Sequence, residues 1–133
     1  MKIRKVCIYL IAFAVLLIGG LLITEPVKAA TYSGRCGKDV RWSLDTETGV
    51  LEIYGTGDMY DNALTYTSWR SCRSQIKTIK IAEGVTSISE RAFDSCENLT
   101  TVEMGEGLVR IGNYAFFSCY NNIDRILFCE VFI

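Results

Sequence analysis

Apolar residues are distributed along this chain in three ways, and each predicts a different element. From Val6 to Ile23 they form an unbroken run of eighteen. In Val40-Arg-Trp42-Ser-Leu44 and Val50-Leu-Glu-Ile-Tyr54 they alternate, the pattern of strands with one face buried. Asp45-Thr-Glu-Thr-Gly49 between those two segments reads as a turn, so a β-hairpin is predicted there. From Ile76 onward a third pattern, apolar-x-x-apolar-x-apolar, recurs. It appears as Ile76-Lys-Thr-Ile79-Lys-Ile81, as Leu99-Thr-Thr-Val102-Glu-Met104, and after one inserted residue as Ile123-Asp-Arg-Ile126-Leu-Phe128. Its last three positions have period two and predict a short strand with one inward face. Thr78, Lys80, Thr101, Glu103, Arg125 and Leu127 then point outward.

The segments between those strands repeat as well. Gly84–Leu99 aligns with Gly107–Asn122 at an offset of 23 residues. Val85 falls on Leu108, Ile88 on Ile111, Ala92 on Ala115, Phe93 on Phe116 and Cys96 on Cys119. One such unit cannot bury its own apolar residues, whereas stacked units bury them in a continuous core. Phe93 and Phe116 are therefore expected to stack as a ladder. Ala92 and Ala115 are expected at a tight turn, and Gly84 and Gly107 where a side chain would be strained.

Leu-Thr-Thr-Val-Glu-Met followed by Gly-Leu-Val-Arg-Ile-Gly-Asn-Tyr-Ala-Phe-Phe-Ser-Cys resembles the BspA-like leucine-rich repeat. Ala82 and Gly105 stand where that family often has Pro, and Ser89 where Gly is usual, while Gly112 keeps it. The resemblance is clear over about Ile76–Phe128. It extends to Tyr32–Thr56 through a family-like leading segment, Ser33-Gly-x-Cys-Gly, Val40-x-Trp-x-Leu-Asp and Gly49-Val-Leu-x-Ile-x-Gly-Thr-Gly. It implies a mostly β fold, with a β-hairpin cap followed by a short solenoid of about 2.5 repeats. It also implies adhesion or protein interaction, with no cofactor. The candidate binding surface is the outward strand face: Thr78, Lys80, Thr101, Glu103 and Arg125.

The opening of the chain adds a destination. Lys2, Arg4 and Lys5 precede the apolar run, and Val27-Lys-Ala29-Ala30 follows Pro26, the three-part pattern of a secretory signal helix with cleavage after Ala29 or one residue later. An uncleaved anchor is the alternative, since eighteen apolar residues just suffice to span a bilayer. Against it, Gly19-Gly20 weakens the helix and Pro26 favours an extended segment. Membrane contact is thus expected only through this leader, and localisation is secreted or cell-surface. The expected division is 1–29 signal peptide, 30–70 β-rich cap and 71–133 repeats. Trp69 is expected to pack the Gly55–Tyr66 loop onto the first repeat.

Charge and candidate chemistry narrow the function. The chain has 14 Lys plus Arg and 15 Asp plus Glu; removing 1–29 takes away four cations and one anion, leaving a net charge of −4. That balance gives no electrostatic case for nucleic acid. Histidine is absent, which removes the commonest general base and metal ligand. Five cysteines follow the leader: Cys36, Cys72, Cys96, Cys119 and Cys129. An exported chain suggests disulfides, but Cys96 and Cys119 share one repeat position and Cys72, four residues before Ile76, holds a nearly equivalent one, which favours buried free thiols. No metal site is expected. Asp58, Asp61, Glu83 and Glu90 could serve a hydrolase only if paired, which their spacing does not require. An extracellular hydrolase is accordingly the least favoured reading. Asn98-Leu99-Thr100 matches a glycosylation sequon and also the ordinary repeat text. The third unit departs from the pattern at Asn122, and the chain closes on Ile126-Leu-Phe-Cys-Glu-Val-Phe-Ile133 without a polar cap. This predicts a truncated product or a fragment of a longer repeat protein. A genuine last strand over Leu127–Ile133 is the alternative.

Overall fold

The short alternating segments form one mostly β structure, with a single short helix among the described residues. Its order is β1 (Thr31–Arg35), β2 (Gly37–Asp45), β3 (Val50–Met59), a 3-10 helix (Ser68–Gln75), β4 (Thr78–Ile81), β5 (Val85–Ile88), β6 (Thr101–Met104), β7 (Arg110–Ile111) and β8 (Arg125–Phe128). The computed structural model describes residues 30–61, 68–119 and 125–128, with backbone only for 125–128. The expected signal helix over 1–29 and the chain end over 129–133 lie outside the described residues. No described helix is long and apolar enough to cross a membrane.

The predicted hairpin is β2–β3. Asp45 pairs with Val50, and the Asp45 carboxylate accepts from the amides of Glu47 at 2.9 Å and Thr48 at 3.3 Å. Gly49 closes the turn at φ 73°, a region that other residues enter only with strain. The hairpin does more than cover an end: β3 pairs in parallel with β4, from Val50 opposite Thr78 to Ile53 opposite Ile81. β4 pairs with β6 in the same way, Thr78 opposite Thr101, and β6 with β8, Thr101 opposite Arg125. The register step is the expected one, with the insertion absorbed before β8. One sheet therefore runs β1-β2-β3-β4-β6-β8.

Three strands were not legible in the sequence pattern. β1 precedes the predicted hairpin and pairs antiparallel with β2. β5 and β7 form a second parallel ladder with the end of β3, Gly57 opposite Val85 and Ser87 opposite Arg110. The expected loop from Gly55 is thus corrected: β3 continues through it to Met59. Gly55 at φ 112° and Gly57 at φ 92° let the strand swing out of the first ladder into the second. At Gly84 and Gly107 the constraint is close approach and not a positive φ. A Cβ there would lie 2.3 Å from the Gly55 carbonyl oxygen and 1.9 Å from that of Glu83.

The core lies between the two ladders. Leu44, Leu51, Ile79 and Val102 are buried in successive strands at matching register. Beside them runs an aromatic column. Phe93 and Phe116 stack at 5.3 Å between centroids, as the repeat requires. Trp69 from the 3-10 helix stacks on Phe93 at 5.8 Å, meets Trp42 edge-on at 5.4 Å, and donates its indole N–H to the Ala92 carbonyl at 2.9 Å. Trp69 therefore occupies the rung before Phe93, and it joins the hairpin core to the repeats.

Candidate binding face

The period-two alternation of each strand decides which side chains leave the core, and the parallel register decides which of them become neighbours. Thr78 and Thr101 stand opposite each other on the outward side, as do Lys80 and Glu103. Four of the five expected residues are thereby brought onto one face. Arg125 is placed in register beside Thr101 by its backbone; its side chain lies outside the described residues. The face consists of lateral rows. One is Thr31, Asp45, Val50, Thr78 and Thr101; the next is Ser33, Ser43, Glu52, Lys80 and Glu103.

The hairpin thus extends the face past the repeats and adds residues that sequence reasoning missed. Glu52 flanks Lys80, and Tyr54 is 41% exposed at the edge of the face. The outward alternation of Val50-x-Glu52-x-Tyr54 was visible in the sequence. The parallel pairing of β3 with β4, which sets these residues beside Lys80, was not. Lys80 Nζ lies 3.6 Å from Glu103 Oε2, with both side chains nearly half exposed. A pair this wet contributes at most about 1 kcal/mol, so it orients the charges more than it stabilises the fold. Two shallow depressions meet at Glu52 and Lys80. One of about 420 Å³ reaches toward Thr31 and Asp45; the other, of about 300 Å³, reaches toward Tyr54 and Met104. Their walls mix carboxylates, hydroxyls and one ammonium with the apolar Val50, Ile53, Ile81 and Met104, which suits a partner surface of mixed polarity.

Three of the four other candidate carboxylates, Asp58, Asp61 and Glu90, have partners. Asp58 accepts from the Thr86 hydroxyl at 2.7 Å, and that bond holds its carboxyl below the usual range. Asp61 pairs with Arg110 at 3.2 Å, and Glu90 lies 4.0 Å from Arg91. Among the described residues, no three His, Cys, Asp or Glu side chains converge as a metal cluster would require. Cys36, Cys96 and Cys119 are buried free thiols, the last two as their repeat position suggests, whereas Cys72 is disulfide-bonded, which corrects the free-thiol expectation there. A cysteine's place in the repeat does not decide whether it finds a partner in space. Burial pushes the Cys36 thiol up to about 12. The hydrogen bond with Cys119, together with burial, pushes Cys96 up further. Both thiols stay protonated and unreactive at neutral pH. In the sequon, the Asn98 amide donates to the Ser74 carbonyl at 2.6 Å and the Thr100 hydroxyl to that of Lys77 at 3.1 Å. Both side chains serve as bridges between successive units.

Comparison with known proteins agrees with this geometry. The family model described as a BspA type leucine-rich repeat region (6 copies) matches residues 63–131. A search of curated proteins finds no match. Among solved structures, a leucine-rich repeat protein from Eubacterium ventriosum superposes with a TM-score of 0.67 at 29% identity over 76% of this chain. The chain spans 27% of that protein.

Proposed function

The chain belongs to the BspA-type leucine-rich repeat family, and from that premise we propose that it is an exported or cell-surface protein that binds another protein or a host-surface ligand through its outward strand face. Repeats of this family suggest protein–protein interaction in general. The observation that carries the finer reading is the continuity of the face. Hairpin strands and repeat strands share one register, so Ser33 through Glu103 form an unbroken polar row, and Thr31 through Thr101 form a parallel row that is polar except at Val50. A short solenoid of about 2.5 units, closed at one end by the hairpin, accounts for the stacked strands and the aromatic column. The leader-like opening supports export. The absence of histidine and the engaged carboxylates favour binding over catalysis.

A patch of this size gives modest affinity by itself. The test is binding of the purified chain to immobilised extracellular matrix proteins and to host cells. It is compared with Lys80→Glu and with Glu103→Lys, each of which reverses one charge of the Lys80–Glu103 pair in the polar row. The expected result is saturable binding that falls roughly tenfold in either variant, about 1.4 kcal/mol, with the fold kept and thermal stability only slightly lowered. Binding that is unaffected by both substitutions would move the function off this face. Recovery of the chain in the cytoplasm with its leader intact would overturn the export reading.

A further inference from the structure

We propose that the outer edge of β1 is a self-association site, at which two copies of this chain pair their β1 strands antiparallel about Ser33. This edge is the end of the sheet opposite β8, and among the described residues nothing pairs with its outer side. The hydrogen-bond phase of β1 is fixed at both ends. The Cys36 amide donates to the Val40 carbonyl at 3.0 Å, and the Thr46 amide donates to that of Ala30 at 3.2 Å. In an antiparallel ladder, residues that bond to the partner strand alternate with residues whose amide and carbonyl point the other way. Ala30, Tyr32, Gly34 and Cys36 therefore face β2, and Thr31, Ser33 and Arg35 direct their amides and carbonyls outward. Among the described residues no strand pairs with these three, and they form a donor and acceptor row of the kind that templates strand addition.

The row is complementary to itself. A two-fold axis through Ser33 sets Ser33 against Ser33, Thr31 against Arg35 and Tyr32 against Gly34 of the second copy. All three outward residues then meet in the hydrogen-bonded phase, and about six ladder bonds form. On the inner side, each Tyr32 ring comes to lie over the bare backbone of the other Gly34. That backbone is bare for a reason within its own copy: a Cβ on Gly34 would lie 2.7 Å from the Trp42 indole nitrogen.

Charge selects this register. Within one copy, Arg35 and Arg41 are directly opposite each other and exposed, and neither makes an ion pair among the described residues. Like charges at such positions are unfavourable. Thr31 is likewise opposite Asp45. In the paired form, the two rows join in the order Asp45, Thr31, then Arg35 and Arg41 of the other copy. Each arginine pair so gains a carboxylate in its own row. The strand has no proline, and Arg35 is its only charged residue, so it carries little of the usual protection against edge pairing.

Sedimentation velocity of the purified chain over a concentration series, with Ser33→Pro and Arg35→Glu, tests the site. Proline at position 33 removes an outward amide that the β1–β2 ladder does not use. Glutamate at position 35 can pair with Arg41 but repels the second copy's Asp45. The expected result is a reversible monomer–dimer equilibrium for the native chain. Self-association should be roughly tenfold or more weaker in Ser33→Pro and should become weaker and less salt-sensitive in Arg35→Glu. Thermal stability should be kept in Arg35→Glu, so that variant decides the matter if Ser33→Pro does not fold. A native chain that stays monomeric to its highest soluble concentration, or a dimer that Arg35→Glu leaves unchanged, overturns the proposal.

Discussion

Two stretches of this molecule share one sequence template and differ in what surrounds them. In the first, Val85 to Cys96, Ile88 is 1% exposed and Phe93 is fully buried. In the second, Leu108 to Cys119, the equivalent Ile111 is 45% exposed, Phe116 is only partly buried, and Val109 stands 83% exposed where the first unit has Thr86. Yet the backbone is the same in both. Arg91 and Tyr114 adopt φ 51° and 57°, and Ser95 and Ser118 adopt 60° and 57°. Conformation is thus set within a unit, while burial is conferred by the units on either side. The two kinds of energy should separate under mutation: packing effects should differ between the stretches, and local backbone effects should not.

The largest expected difference is at the aromatic column. Phe93→Ala should cost about 3–5 kcal/mol, because Trp69 and Phe116 enclose the ring from both sides and cannot collapse into the space. Phe116→Ala should cost less, about 2–3 kcal/mol, since the ring is only partly buried. Urea denaturation of both variants measures the gap, and equal costs would break the comparison. Next in size, Ile88→Ala should cost about 2–4 kcal/mol and Ile111→Ala less than about 1 kcal/mol by the same measurement. The smallest effect is the local one. Glycine in place of Ser95 or Ser118 relieves a left-handed φ and should stabilise by up to about 1 kcal/mol. Both sites should gain, with the gain at Ser95 reduced by loss of the bond its hydroxyl donates to Asp94 Oδ1 at 2.8 Å, whereas the packing costs should differ far more. A thermal melt of each variant sharpens the contrast: a gain confined to Ser95 would mean that its neighbours, and not its own φ, set the strain.

Much of this was written in the sequence wherever a pattern had a period. The alternation in Val40–Leu44 and Val50–Tyr54 located the hairpin, and the offset of 23 residues located the Phe93–Phe116 stack. The outward strand face could be read residue by residue for Thr78, Lys80, Thr101 and Glu103. What could not be read was lateral. β1 carries Ser33, Gly34 and Arg35, which have no apolar rhythm; it exists because β2 offers it a free edge. The Gly55–Asp58 stretch has loop composition but belongs to a strand that changes ladders, and its glycines mark the bend. Glu52 and Tyr54 entered the candidate face only through pairing with β4, a contact between segments that no local pattern encodes. Cys72 shows the same limit, because repeat position alone could not give its bonding state.

The claim beneath this account is that one unit holds the next through hydrogen bonds in a fixed register. The amides of Phe93 and Ser95 donate to the carbonyls of Ala115 at 2.8 Å and Phe117 at 2.8 Å, in the following unit. Those of Phe117 and Cys119 donate to Tyr114 at 3.0 Å and Phe116 at 3.3 Å, within their own turn, as those of the equivalent Asp94 and Cys96 do to Arg91 at 3.2 Å and Phe93 at 3.3 Å. Native-state amide hydrogen exchange, resolved by residue, measures the difference directly. Phe93 and Ser95 should exchange as slowly as the core strands, with Phe117 and Cys119 faster by roughly a hundredfold or more. Equal exchange at all four amides would show that the units are not joined in this register.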